Sequence, residues 1–93
     1  YIINTAAETH VGNSIIDSTE FTKSNVEGTR NLLDLIRSKP SNICAKPILL
    51  HFSTDEVYGD ITSGTHVERD LLNPSNPYSA SKAAADLMIT AWS

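Results

Sequence analysis

The sequence is poor in cysteine: Cys44 is its sole thiol. That excludes an intrachain disulfide framework and a multi-thiolate metal site, and it fits a reducing compartment, so a cytoplasmic protein is expected. Basic residues are also scarce, with 7 Lys and Arg against 11 Asp and Glu and a net charge of −4 at pH 7. Such a balance gives no electrostatic footprint for nucleic acid or an anionic membrane surface. Long hydrophobic runs are missing as well. The longest aliphatic run is Ile48-Leu49-Leu50, far short of the ~20 apolar residues of a membrane-spanning helix, and no signal-peptide pattern opens the chain. There is no internal repeat or low-complexity tract. What is present is ordinary globular usage, 40% apolar and 19% charged over 93 residues, which suits one small domain or a piece of a larger one.

Residues 1–4, Tyr-Ile-Ile-Asn, favour a strand that opens onto the small pair Ala6-Ala7, and with no starting methionine the chain reads as one entered midway. Over 19–37, Phe21, Asn25, Gly28, Leu32 and Ile36 recur at spacings of four and three, which predicts a helix with those side chains inward. Gly28 weakens a helix interior, so close approach to a neighbouring backbone is its expected use. Arg37 and Lys39 complement the C-terminal dipole, and Pro40 ends the helix. A polar connection at 38–47 leads to an apolar run at 48–53, read as a buried strand. Strand, helix and strand in that order require a parallel sheet, and an unalternating apolar run suits one covered on both faces. A long polar stretch, 54–76, follows and is expected to be functional. Asn76 then caps a helix beginning at Pro77, with Ala80, Ala83, Ala84, Leu87 and Ala91 as its apolar face. The class is α/β, ordered β-α-β-loop-α.

Ligands collect at the carboxyl ends of strands in open α/β sheets, which directs attention to residues 5–13 and 54–59. Ser53-Thr54-Asp55-Glu56 sets hydroxyls and two adjacent carboxylates directly after the second strand. On these residues alone a turn with a helix N-cap is the first reading. Tyr78 and Lys82 are four apart, so a helix puts ammonium and phenol on one face. A nearby cation favours phenolate and would make Tyr78 a usable base, although an exposed aromatic–lysine pair has the same spacing. His10 and His51 stand in separate strand regions without a ligand motif, so both are read as packed or surface residues and no metal is assigned. Cys44 is read as inert.

Taken together, Thr54-Asp55-Glu56-Val57-Tyr58-Gly59 and Pro77-Tyr78-Ser79-Ala80-Ser81-Lys82 resemble the extended short-chain dehydrogenase/reductase family. The Thr-Asp-Glu triplet is similar to that of its nucleotide-sugar 4,6-dehydratases. Ala6-Ala7-Glu8-Thr9-His10-Val11 and Asn25-Val26-Glu27-Gly28-Thr29 fall in the family's order too, so the resemblance spans nearly the whole chain. It implies part of a Rossmann-like doubly wound parallel sheet, a bound NAD, and dehydration of a nucleotide-hexose such as dTDP-glucose. By the same resemblance Tyr78 is the base at the sugar 4-hydroxyl, Lys82 lowers its pKa and holds the cofactor ribose, and Thr54 bonds the reacting oxygen. Glu56 is the base at C5 and Asp55 the acid at the C6 hydroxyl. Thr5, Ala6, Ala7, Glu8 and Thr9 lie along the cofactor, Thr9 also reaches the sugar, and Ser24 contacts the cofactor. Asn25 is expected to bond backbone and organise the site. A homodimer through the helices at 19–37 and 77–92 is a further implication.

The sequence departs from the family pattern at Gly12, where an aspartate is usual, which is expected to loosen the first strand-end loop. Its four glycines, Gly12, Gly28, Gly59 and Gly64, form no G-x-G-x-x-G turn. Residues 1–93 are therefore expected to be an internal part of one NAD-binding domain, without its glycine motif or sugar-nucleotide-recognising part, and inactive and marginally stable alone. Epimerases, decarboxylases and GDP-mannose dehydratases resemble the chain at Tyr78 and Lys82 but usually lack the Asp55-Glu56 pair. A cofactor-binding protein without turnover is the rival of another class.

Overall fold

The structure is a computed structural model that describes residues 1–38, 47–60 and 64–92. Two short strands, β1 (Ile2–Asn4) and β2 (Leu49–His51), run parallel with Ile2 opposite Leu49, Ile3 opposite Leu50 and Asn4 opposite His51. The ladder is extended where the Ile2 amide donates to the Ile48 carbonyl at 2.9 Å and the Phe52 amide to the Asn4 carbonyl at 3.1 Å. Between the strands lie α1 (Val11–Ile16), α2 (Thr19–Phe21), a π-helical stretch (Thr22–Glu27) and α3 (Gly28–Ser38). After β2 come a 3₁₀ turn (Asp55–Tyr58) and α4 (Pro77–Trp92). The parallel pair and its helical crossover give the expected α/β class.

The helix expected at 19–37 is present, but its inward face is shifted. In the π-helical stretch the Gly28 amide bonds to the Lys23 carbonyl, five residues back, which adds roughly one residue to the turn. Phe21, Asn25, Thr29 and Leu33 consequently form the buried seam, while Gly28, Leu32 and Ile36 sit half-buried beside it. Gly28 makes no close backbone approach: a Cβ there would lie 3.8 Å from its nearest neighbour, the Lys23 carbonyl oxygen. Lys39, Pro40, Cys44 and most of the connection at 38–47 lie outside the described residues.

β2 was expected to be buried on both faces. Among the described residues the sheet instead alternates with period two: Ile2, Asn4, Leu49 and His51 face the helices, whereas Ile3, Ile48, Leu50 and Phe52 are exposed. The face of α4 is corrected too. Asn76 caps it as expected, its Oδ1 accepting from the amide and hydroxyl of Ser79 at 2.9 and 3.1 Å. The buried set is Tyr78, Ser79, Ser81, Lys82, Ala83 and Ala85, while Ala80, Leu87 and Ala91 are exposed. Packing follows the 78, 81, 82, 85 stripe because α4 lies against the π-helical stretch, α1 and the 3₁₀ turn. Only polar side chains with partners can occupy such a seam without a large desolvation cost.

Candidate active site

The end of β1 is tied down by Asn25. Its Oδ1 accepts from the Glu8 amide at 2.9 Å, and its Nδ2 donates to the Glu8 carbonyl at 3.0 Å and to Ser81 Oγ at 2.9 Å. One buried carboxamide thus holds the strand-end loop to α4, the organising role expected of it. The rest of that loop is open: Thr5, Ala6, Glu8 and Thr9 are exposed and Ala7 is half-buried. Ser24, the residue before Asn25, is half-buried in the π-helical stretch. Gly12 lies within α1 and does not loosen a loop. His10 caps α1, Nδ1 accepting from the Asn13 amide at 3.2 Å, and a Cβ on Gly12 would crowd the His10 ring at 3.2 Å.

At the end of β2, Thr54 is extended and caps the 3₁₀ turn, Oγ1 accepting from the Glu56 amide at 3.3 Å. Asp55 and Glu56 follow on the outside of that turn, both exposed, while Val57 is buried beneath them. The turn closes at Gly59, whose φ of +91° lies in the left-handed region. Thr54 and Asp55 line a shallow depression of about 370 Å³ with Ser53, Tyr58, His66 and Asp86. Asp55 and Glu56 line its neighbour, of about 390 Å³.

Tyr78 begins the buried stripe of α4. Its amide donates to Ser14 Oγ at 3.1 Å, its carbonyl accepts from Ser81 Oγ at 2.7 Å, and its ring meets Phe21 edge-on, centroids 6.4 Å apart. One turn on, Lys82 is 4% exposed and donates from Nζ to the Phe52 carbonyl at 2.8 Å. Burial pushes the Lys82 ammonium below its ordinary pKa, and Asp86 partly offsets this. The lysine bond joins the helix bearing Tyr78 to the strand end bearing Thr54, Asp55 and Glu56.

Sequence reasoning missed the groups behind that bond. His51 is packed, as expected, but in a polar cluster. Its Nδ1 lies 3.2 Å from Asn4 Nδ2 and its Nε2 3.8 Å from Asp86 Oδ1, while Asp86 Oδ2 accepts from Ser53 Oγ at 2.6 Å. Burial, and then the Lys82 charge, hold the His51 imidazole below its ordinary pKa, with Asp86 opposing. Asp86 stands four residues after Lys82 and Ser81 three after Tyr78, and that helical spacing was the available signal.

A family profile described as GDP-mannose 4,6 dehydratase matches residues 1–93. A probable dTDP-glucose 4,6-dehydratase of Sinorhizobium fredii is 44% identical over 97 residues, covering 99% of this chain and 28% of the relative. The dTDP-glucose 4,6-dehydratase of Mycolicibacterium smegmatis is 44% identical over 94 residues, covering 98% and 27%. Among solved structures, the Streptomyces venezuelae dTDP-glucose 4,6-dehydratase with NAD bound superposes with a TM-score of 0.85 at 43% identity, over 98% of this chain and 27% of that one. A UDP-glucose 4-epimerase from Brucella ovis in complex with NAD does so with a TM-score of 0.78 at 30% identity, over 97% and 26%. The chain thus spans about 27% of the length of such relatives.

Proposed function

The chain belongs to the GDP-mannose 4,6 dehydratase family, and from that premise we propose that the protein carrying it is an NAD-dependent nucleotide-sugar 4,6-dehydratase, a hydro-lyase converting dTDP-glucose to dTDP-4-keto-6-deoxyglucose. The observation that carries this reading is the bond from Lys82 Nζ to the Phe52 carbonyl. It sets a tyrosine–lysine helix against a strand end with two adjacent carboxylates, which is what proton removal from the 4-hydroxyl followed by elimination across C5 and C6 requires.

The residues present fit the cofactor. Exposed Ala6 and half-buried Ala7 leave the β1 end open to a flat dinucleotide, with Thr5, Glu8, Thr9 and Ser24 around it and Tyr78 and Lys82 at the reacting end. NAD, when bound, supplies the hydride acceptor and donor. Tyr78 takes the 4-hydroxyl proton, and the Lys82 ammonium favours its phenolate and holds the ribose. Thr54 and Thr9 bond the sugar, Thr54 at the reacting oxygen. With C4 a carbonyl, Glu56 removes the acidified C5 proton and Asp55 protonates the departing C6 hydroxyl. Residues 1–93 are read as part of one Rossmann-like cofactor domain, consistent with their share of the relatives' length.

A cytoplasmic homodimer completes the reading. No helix among the described residues is long and apolar enough to cross a membrane. The exposed Leu87 and Ala91 of α4, and Leu35 of α3, supply apolar surface for a second copy where Arg37 stacks over Trp92 at 5.6 Å.

The test is incubation of the full-length protein with NAD and dTDP-glucose, reading the alkali-sensitive absorbance of a 4-keto-6-deoxy sugar. Product that disappears in Tyr78→Phe and in Asp55→Asn/Glu56→Gln supports the assignment. Intact NAD binding without product from any hexose nucleotide overturns it in favour of a non-catalytic binding protein.

A further inference from the structure

Behind Lys82 lies a polar cluster that the proposed chemistry leaves unused. Asn4 sits at the end of β1, His51 at the end of β2, Ser53 one residue beyond its Phe52 neighbour, and Asp86 on α4 one turn after Lys82. The orientation of the Asn4 amide is fixed by its Oδ1, which accepts from the Ala6 amide at 3.3 Å. Asn4 Nδ2 is therefore the group facing His51 Nδ1 at 3.2 Å. Because an amide nitrogen only donates, Nδ1 must accept, and the ring proton of the neutral imidazole stands on Nε2. Nε2 is buried and has no hydrogen-bond partner among the described residues. What it faces is the carboxylate of Asp86, with Oδ1 at 3.8 Å, and the His51 side chain is only 7% exposed. The other oxygen of that carboxylate holds Ser53 at 2.6 Å.

We propose that Asp86 is a positioning residue of the reaction centre: facing His51 Nε2–H and holding Ser53, it locks the strand end bearing Thr54, Asp55 and Glu56 to the helix bearing Tyr78 and Lys82, and it is the counter-charge of the Lys82 ammonium. The inference rests on the dehydratase reading for the roles of those five residues. Two routes carry the effect. The Ser53 bond immediately precedes Thr54, so its loss frees the turn that presents the two carboxyls. The negative charge one turn from Lys82 sustains the ammonium in a site where burial disfavours it. The titratable groups about Asp86 are Lys82 on its own helix, His51 on β2, and Asp55, Tyr58, His66 and Glu68 along the depression that Asp86 lines.

The experiment uses the full-length protein with lysine and histidine labelled for NMR, together with pH–rate profiles for dTDP-glucose and NAD. In the wild type, the His51 ring nitrogens are expected to show the Nε2–H tautomer at pH 7–8; an Nδ1–H tautomer overturns the pairing and needs no variant. In Asp86→Asn the Lys82 titration and the alkaline limb of kcat are expected to move together to lower pH, because the neighbouring negative charge that favours the ammonium is lost. An unmoved Lys82 titration overturns the counter-charge role. Ser53→Ala is expected to lower kcat with the alkaline limb in place, and a limb that shifts as in Asp86→Asn overturns the division between charge and position. Asp86→Glu, which keeps the charge, is expected to restore the limb, and it decides the same point should Asp86→Asn fail to fold. A wild type that does not turn over dTDP-glucose defeats the dehydratase reading, while the two NMR measurements still decide the pairing.

Discussion

Asn25 and Ser81, 56 positions apart, meet at 2.9 Å through Nδ2 and Oγ, and the geometry makes the donor's identity decisive. The one hydroxyl proton of Ser81 is committed to the Tyr78 carbonyl at 2.7 Å. Ser81 can therefore only accept from Asn25, as can the Glu8 carbonyl at 3.0 Å.

Asn25→Asp keeps the acceptor for the Glu8 amide and replaces the double donor with a carboxylate oxygen facing two lone-pair groups. Its expected cost is about 3 kcal/mol, since buried polar groups lose their partners and a charge is buried. Urea unfolding of the full-length protein measures it, and a loss below about 1 kcal/mol would show that Asn25 is not the tie between the β1 end and α4.

Lys82→Met separates chemistry from folding. Removing the ammonium relieves its burial but leaves the Phe52 carbonyl without its donor and Asp86 without its neighbouring cation, so a modest loss of about 1–3 kcal/mol is expected. Activity is expected to fall by at least about 100-fold, the lower bound for losing a group that sets the proton-transfer step. A well-folded variant with near-normal turnover would remove Lys82 from the reaction.

Much of this arrangement was legible in the sequence because it is local. The Asn76 cap, the tyrosine–lysine spacing and the strand–helix–strand order all rest on residues a few positions apart or on short-range pattern, whereas the backbone role of Asn25, whose partners lie 17 and 56 positions away, was legible only through the family resemblance. What escaped was set by tertiary packing. Nothing in a 3.6-residue count announces that the Gly28 amide reaches back to Lys23, so the seam was assigned to Gly28 and Leu32 instead of Thr29 and Leu33. On α4 the alanines looked like the inner face because small apolar residues usually are. Ala83 is buried as expected, but the interior also takes Tyr78, whose ring meets Phe21, and Ser81 and Lys82, whose polar atoms find Asn25 and the strand end. The Asp86 carboxylate was invisible for the same reason, as its partners His51 and Ser53 lie more than 30 positions away.

The two left-handed glycines should respond differently to a methyl group. At Gly59, φ +91°, a Cβ would collide with the backbone carbonyl oxygen of Asn73, so Gly59→Ala combines backbone strain with a clash against a rigid neighbour. At Gly64, φ +84°, the space is open, and strain alone remains. Expected losses are about 1 kcal/mol for Gly64→Ala and at least about twice that for Gly59→Ala. Thermal unfolding of the two variants side by side gives the comparison. Equal losses would mean that the 3₁₀ turn at Val57, whose carbonyl accepts the Asn73 amide at 2.8 Å, is not held rigidly against Asn73.

Acid should destabilise the protein through His51. An unfolded imidazole takes up a proton near its ordinary pKa of 6.5, while burial and the Lys82 charge hold the folded value lower. Between those two values the unfolded chain binds more protons, so folding stability falls as pH falls, beginning near 6.5 and ending at the folded pKa. His51→Gln can still accept from Asn4 but cannot titrate, and it should lessen the decline in urea midpoint between pH 7.5 and 5.5. A variant whose decline matches the wild type would assign the acid sensitivity to other groups and place the His51 ring in contact with water instead of behind the strand end.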